Sequence, residues 1–153
     1  MFIHRTAVPG TKIKAGVGVL VRDADGRLLL EKRSDCGMWG LLGGAIDPGE
    51  SITDAAVREV LEESGCHIEV TGLIGIYSEP SERYIVYPDN GDVRQLIDIV
   101  VEARITGGEL RLSHESEQIE FFTLDQLPKD EEIIPPAREP LADLKAGLRG
   151  VLK

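Results

Sequence analysis

Three glutamates, Glu59, Glu62 and Glu63, stand at i, i+3 and i+4 of one short segment in a chain of 153 residues. On a helix, all three carboxylates leave one face within an arc of roughly 100°. Like charges that close repel, and a hard divalent cation such as Mg²⁺ or Mn²⁺ removes the conflict by taking their oxygens. Such an ion keeps several waters and completes its shell with substrate phosphates, so the spacing points to metal-assisted chemistry on a phosphate ester or anhydride. A solvated acidic face is the plainer reading of an isolated pattern of this kind. Here the pattern is framed at set spacings by Gly43-Gly44, Glu50, Arg58 and Gly65, which favours the chemical reading.

The segment carries its own instructions for becoming a helix. Pro48-Gly49 is a turn signal, and Ser51 with Asp54 three residues on makes a capping-box start. Ile52, Ala56, Val57, Val60 and Leu61 supply an apolar face beside the acidic one. Gly65 suits the left-handed position that ends a helix. Arg58 lies one turn after Asp54 and one turn before Glu62, within reach of either carboxylate.

From Gly44 to Cys66 the chain resembles the Nudix box, G-x5-E-x7-R-E-U-x-E-E-x-G-U with U a bulky aliphatic, matching at Gly44, Glu50, Arg58, Glu59, Val60, Glu62, Glu63 and Gly65. Cys66 fills the last aliphatic slot, where it serves as a small hydrophobe. Trp39-Gly-Leu-Leu-Gly43-Gly44 is similar to the family's lead-in, with Leu42 in place of the usual Pro. The resemblance implies an α/β/α sandwich with a mixed sheet. It also implies hydrolysis of a nucleoside diphosphate linked to another moiety, with Mg²⁺ or Mn²⁺ as cofactor. Glu59, Glu62 and Glu63 then correspond to metal ligands, joined by a backbone carbonyl of Gly43 or Gly44. Glu50 supports the site and in some members reaches a metal through water, and Arg58 is the orienting residue. The general base in this family is a box glutamate, here Glu62 or Glu63, or a glutamate of a late loop, where Glu115 is the first choice and Glu117 the second.

Substrate recognition must come from outside the box. The family's ADP-ribose group carries a Pro about fifteen residues past the box, and its diadenosine polyphosphate group a Tyr slightly later. Pro80 and Tyr84 follow Cys66 by 14 and 18 residues, so both rules nearly fit and neither decides. Tyr77, Tyr84 and Tyr87 offer rings for stacking on a base. Arg83 and Arg94 offer charge to a phosphate, and Trp39 is either a substrate contact or a core wedge. ADP-ribose or a related sugar nucleotide is the favoured substrate, with nucleoside triphosphates or dinucleoside polyphosphates as the alternative. A nucleotide-sensing module without turnover is the binding-class alternative, set back by the presence of all four box carboxylates.

Length and composition agree with one domain over residues 1–153, long enough to bury about two-thirds of its unfolded surface. The residues are 42% hydrophobic and 29% charged, and the formal net charge is −10, which argues against a nucleic-acid or membrane-surface binder. No apolar run reaches bilayer length and no signal-peptide core opens the chain, so a cytoplasmic protein is expected. Cys36 and Cys66 form no metal pattern and are expected to be reduced; His4, His67 and His114 share no ligand spacing. A homodimer is implied by resemblance. The hydrophobic pattern alone gives a mixed α/β or α+β order. Strands are expected at 15–21, 27–32, 67–70, 73–77, 96–104 and 120–123. The pattern also gives a glycine-rich loop before the box helix, a long loop at 80–92, a one-turn helix at 124–127, and a final helix on Leu141, Leu144 and Leu148.

Overall fold

The computed structural model describes residues 2–3, 9–86 and 90–153. Its centre is a pair of long parallel strands. In chain order the strands are β1 (Phe2–Ile3), β2 (Lys12–Arg22), β3 (Leu28–Arg33), β4 (Trp39–Gly40), β5 (Leu42–Ala45), β6 (Cys66–Tyr77), β7 (Tyr84–Val86), β8 (Val93–Gly108), β9 (Ser116–Phe122) and β10 (Val151–Leu152). The helices are α1 (Ile52–Ser64) and α2 (Pro135–Lys145). β2 lies parallel to β8 along its whole length and antiparallel to β3 and β5. β8 carries β6 and β7 antiparallel, β3 carries β4 and β9, and β10 joins β6 in parallel. The sheet is therefore mixed, as expected for the α/β/α sandwich.

Strand alternation decides what each face buries. Val17, Val19 and Val21 of β2 turn toward α1 and pack with Ala55, Ala56, Val60 and Val101. Leu20, with Leu28, Leu30 and Val100, turns the other way, onto Ala137, Leu141 and Leu144 of α2. The two helices thus cover opposite faces of one sheet. Ile52, expected on the apolar face of α1, is exposed in the first turn; Ala55 takes the buried place instead.

Several local expectations are corrected by tertiary pairing. The glycine-rich stretch before the box helix forms β4 and β5, because Gly43 and Gly44 pair with Gly18 and Val17 of β2. The pieces 67–70 and 73–77 are one strand interrupted by bulges against β8. The long loop expected at 80–92 holds a 3₁₀ turn (Pro80–Glu82) and β7. Leu124–Leu127 is a turn closed by Gln126 N–H donating to the Thr123 carbonyl at 3.0 Å, not a helix. Pro128 has no N–H to give the Leu124 carbonyl, so a helical ladder cannot start there. α2 ends at Lys145, leaving Leu148 beyond it and exposed.

Candidate active site

The ends of α1 form as the sequence dictates. Asp54 N–H donates to Ser51 Oγ at 3.0 Å and Ser51 N–H to the Asp54 carboxylate at 3.3 Å, the reciprocal capping box. Gly65 sits at φ +75°, with its N–H on the Leu61 carbonyl. α1 lies against β5, and there the glycines are needed. A Cβ on Gly43 would stand 2.0 Å from the Val17 carbonyl oxygen, and one on Gly44 would stand 2.5 Å from Glu59 Oε1. The Glu59 carboxylate therefore rests directly on the Gly44 backbone.

Arg58 gathers the acidic residues. Its Nε donates to Glu50 Oε1 at 2.5 Å and Nη2 to Glu50 Oε2 at 2.9 Å, a two-pronged contact. Nη1 donates to Glu59 Oε1 at 2.8 Å and reaches Glu62 Oε2 at 3.4 Å, while Nη2 also meets the Ala45 carbonyl at 3.1 Å. The guanidinium holds Glu50 down to a pKa of about 2. Glu59 is pushed up by burial, with Arg58 opposing and the charges of Glu62 and Glu115 adding to the rise. Glu62 is 59% exposed and faces solvent.

Glu63 lies deeper. It is 7% exposed, and its Oε1 accepts the Gly43 N–H at 2.7 Å. Beside it stands Glu31 of β3, also buried, to which Ser116 Oγ donates at 2.6 Å. Burial raises the Glu63 carboxyl far above the ordinary range, and the Glu31 charge adds to this. Sequence spacing could not find Glu31 or Ser116, which are 32 and 53 residues from Glu63 and meet it only through the sheet. Glu31 left one trace, a charge ending the apolar run Leu28-Leu-Leu.

Among the described residues no three His, Cys, Asp or Glu side chains already stand in a metal-ligating set. Arg58 and the Gly43 N–H occupy oxygens of Glu59, Glu62 and Glu63. The donor chemistry nevertheless fits a hard cation: these are carboxylate oxygens, packed on a backbone strand whose glycine leaves no room for a Cβ. Two of them are partly desolvated and lie close to like charge.

On the opposite side of Gly43–Ala45 opens a cavity of about 370 Å³, within the range of small-molecule sites. Gly16 and Gly18 of β2 form part of its wall, with Asp98 and Val100 of β8 and the start of α2. Arg33 enters it held by Asp35 in a two-pronged pair at 3.0 and 2.8 Å, which draws Asp35 down to a pKa of about 2. Asp98 is pushed up to about 6 by burial, with Arg83 opposing. The folded value lies above the ordinary 3.8, so the folded state holds the extra proton. This contribution to stability is fully present below about pH 3.8 and lost as pH rises through about 6. Urea unfolding of wild type compared with Asp98→Asn should show the wild-type advantage falling by up to about 3 kcal/mol across that window.

The residues expected to touch substrate scatter. Arg83 is 2% exposed, its Nε 3.3 Å from Asp98 Oδ2 and its guanidinium 5.4 Å from the Tyr77 ring centroid, so it cannot reach a solvent-borne phosphate. Tyr84 is buried, its hydroxyl 3.4 Å from Gln95 Oε1, and offers no face for stacking. Tyr77 is buried with its hydroxyl donating to Asp143 at 2.8 Å. Trp39 packs edge-on against Phe122 at 5.0 Å between centroids, as a core wedge. Arg94 meets Asp92 at 3.4 Å and does not line the cavity. Tyr87 and His4 lie outside the described residues. Glu115 is 71% exposed in the loop before β9, near enough to Glu59 for its charge to be felt there; Glu117 is exposed one residue into β9. Asp98 was missed, although a lone carboxylate inside the apolar run Leu96–Val101 was its signal.

The NUDIX domain model matches residues 12–144. The chain is 36% identical over 110 residues to an ADP-ribose pyrophosphatase of Methanocaldococcus jannaschii, covering 70% of this chain and 60% of that protein. It is 46% identical over 65 residues to a putative 8-oxo-dGTP diphosphatase of Bacillus subtilis, covering 42% and 44%. The chain thus spans less than two thirds of the length of these curated relatives. A crystal structure of a MutT NUDIX hydrolase from Burkholderia pseudomallei superposes with a TM-score of 0.69 at 29% identity, covering 87% of this chain and 98% of that one.

Proposed function

The chain belongs to the NUDIX domain family, and from that premise we propose that it is a metal-dependent pyrophosphohydrolase acting on a nucleoside diphosphate linked to another moiety. The observation that carries the reading is the Glu59 carboxylate seated on Gly44, where a Cβ would collide, with Glu62 and Glu63 one turn on along the same helix. In this proposal Glu59, Glu62 and Glu63, with the Gly44 carbonyl, hold Mg²⁺ or Mn²⁺. The bound ion supplies charge neutralisation at the pyrophosphate and acidifies an attacking water.

The chain's own residues do the rest. Arg58, locked between Glu50 and Glu59, fixes the Glu59 rotamer and leaves Glu50 ionised as its counter-charge. The Gly43 N–H fixes Glu63. Glu115 takes a proton from the attacking water; a new P–O bond forms between that oxygen and one phosphorus as the bond from this phosphorus to the bridging oxygen breaks, and the second phosphate leaves with the bridging oxygen. Glu115→Gln is expected to lower kcat by about 10²-fold or more with KM little changed. An unchanged rate moves this role to Glu117 or the box.

Sugar nucleotides such as ADP-ribose lead the substrate candidates, supported by the name of the 36%-identical relative. Nucleoside triphosphates are the second reading, supported by the name of the 46%-identical one. The proposal has residues 1–153 working as one domain in a homodimer, in the cytoplasm, on a small nucleotide, without nucleic acid or membrane. Among the described residues no helix is long and apolar enough to cross a membrane. Release of a nucleoside monophosphate from these substrates, measured with and without added metal, tests the reading.

A further inference from the structure

Resting on the nucleotide reading above, we propose that Asp98 recognises the base of the substrate, and that the base is one presenting two adjacent N–H donors, as guanine does at N1 and its 2-amino group.

The geometry joins this carboxylate to the phosphate site. A Cβ on Gly16 would stand 3.4 Å from Asp98 Oδ1 and 3.4 Å from the Gly44 carbonyl oxygen. One glycine therefore separates the carboxylate from the backbone that seats Glu59 on its other side. A ligand anchored on Asp98 lies one strand, β5, from the box.

The wall around Asp98 is largely aliphatic, as at Leu41, Val86 and Val100, with Lys14 and the Arg33–Asp35 pair also lining the cavity. Among the described residues the cavity can read a base at its hydrogen-bonding edge, through the Asp98 carboxylate. Arg83, buried behind Asp98, supplies the counter-charge that keeps the carboxylate in place. Its Nε lies 3.3 Å from Oδ2, which leaves Oδ1 and the second lone pair of Oδ2 to a ligand. Arg83 is a positioning residue here.

An ionised carboxylate only accepts hydrogen bonds, at two oxygens side by side. Guanine matches it with two parallel donors. Adenine sets a ring-nitrogen acceptor beside its amino donor, and cytosine does the same, so each would face one oxygen with a lone pair. A buried site built on such a match rejects the mismatched partner strongly, because the polar groups left over are unpaired and dry.

The test is calorimetric titration of GMP and AMP into the whole protein at about pH 8, for wild type, Asp98→Asn and Gly16→Ala. Wild type should bind GMP about 10²-fold tighter than AMP. Asparagine replaces acceptor–acceptor by donor–acceptor, so Asp98→Asn should lose the preference or turn it toward AMP. Gly16→Ala leaves the Asp98–Arg83 pair intact and places a methyl over Oδ1; its GMP affinity should fall at least about tenfold. It also carries the test should Asp98→Asn fail to melt as a folded protein. Equal affinities in wild type, or a guanine preference surviving in either variant, would overturn the proposal. GMP binding through Asp98 without hydrolysis of any nucleotide sinks the hydrolase reading alone. Hydrolysis indifferent to the base sinks only the role of Asp98.

Discussion

Exchanging Glu63 for glutamine is expected to cut metal-dependent turnover by about 10²- to 10³-fold or more, while leaving the metal-free protein at least as stable as wild type. The two halves of this result have one cause. Glu63 is buried against Glu31; the Gly43 N–H donates to the first and Ser116 Oγ to the second. A like-charge pair in a poorly solvated site is unfavourable unless a cation or a proton intervenes. Burial holds Glu63 protonated in the metal-free protein, and glutamine keeps an oxygen for the Gly43 N–H and an amide that donates to Glu31 in place of that proton. The same change removes one anionic oxygen from the proposed metal site. Melting curves and metal titrations on Glu63→Gln separate the two halves. A variant that unfolds makes the carboxylate structural, and one that turns over normally removes it from the metal site.

Gly43→Ala is expected to destabilise the protein by about 4 kcal/mol or more, placing it among the severe single substitutions. In a protein of this size that lowers Tm by roughly 10 °C or more. Gly43 sits at φ +143°, where L side chains are strained, and its Cβ would meet the Val17 carbonyl at 2.0 Å. Backbone rather than a flexible side-chain end stands in the way, so β5 would have to leave β2 or twist away from it. Gly49→Ala is the control. Its φ is +90° with open space around the Cβ position, so only the local conformational cost of about 1–2 kcal/mol applies. Similar losses for both would mean that conformation rather than close approach fixes Gly43.

The difference between these two glycines marks what the sequence could disclose. The signals that are local, Ser51 with Asp54, Gly65, and the i, i+3, i+4 glutamates, were legible because a helix writes its own spacing. The acidic face of α1 followed from them. Gly43 and Gly44 were visible as a motif but read as a loop, since their pairing with β2 lies some twenty-six residues away in sequence. Glu31, Ser116 and Asp98 belong to strands whose register no spacing reveals. Arg83 and Tyr84 were misplaced for the opposite reason. Polar and aromatic residues in a turn-rich segment look exposed, yet the 3₁₀ turn and β7 fold them inward, where Asp98 and Gln95 meet them. Local patterns disclosed the acidic helix; the sheet determined which side chains stand around it.

The central claim is that the carboxylates of α1 work through a divalent cation on a nucleotide anhydride. The most direct test is product analysis after incubating the protein with ADP-ribose, a guanosine-diphosphate sugar and the nucleoside triphosphates, in Mg²⁺, in Mn²⁺ and in excess chelator, with Glu63→Gln alongside. The account predicts release of a nucleoside monophosphate that requires the metal, stops in chelator and is lost in the variant. Cleavage that persists in chelator, or equal cleavage by Glu63→Gln, would contradict it.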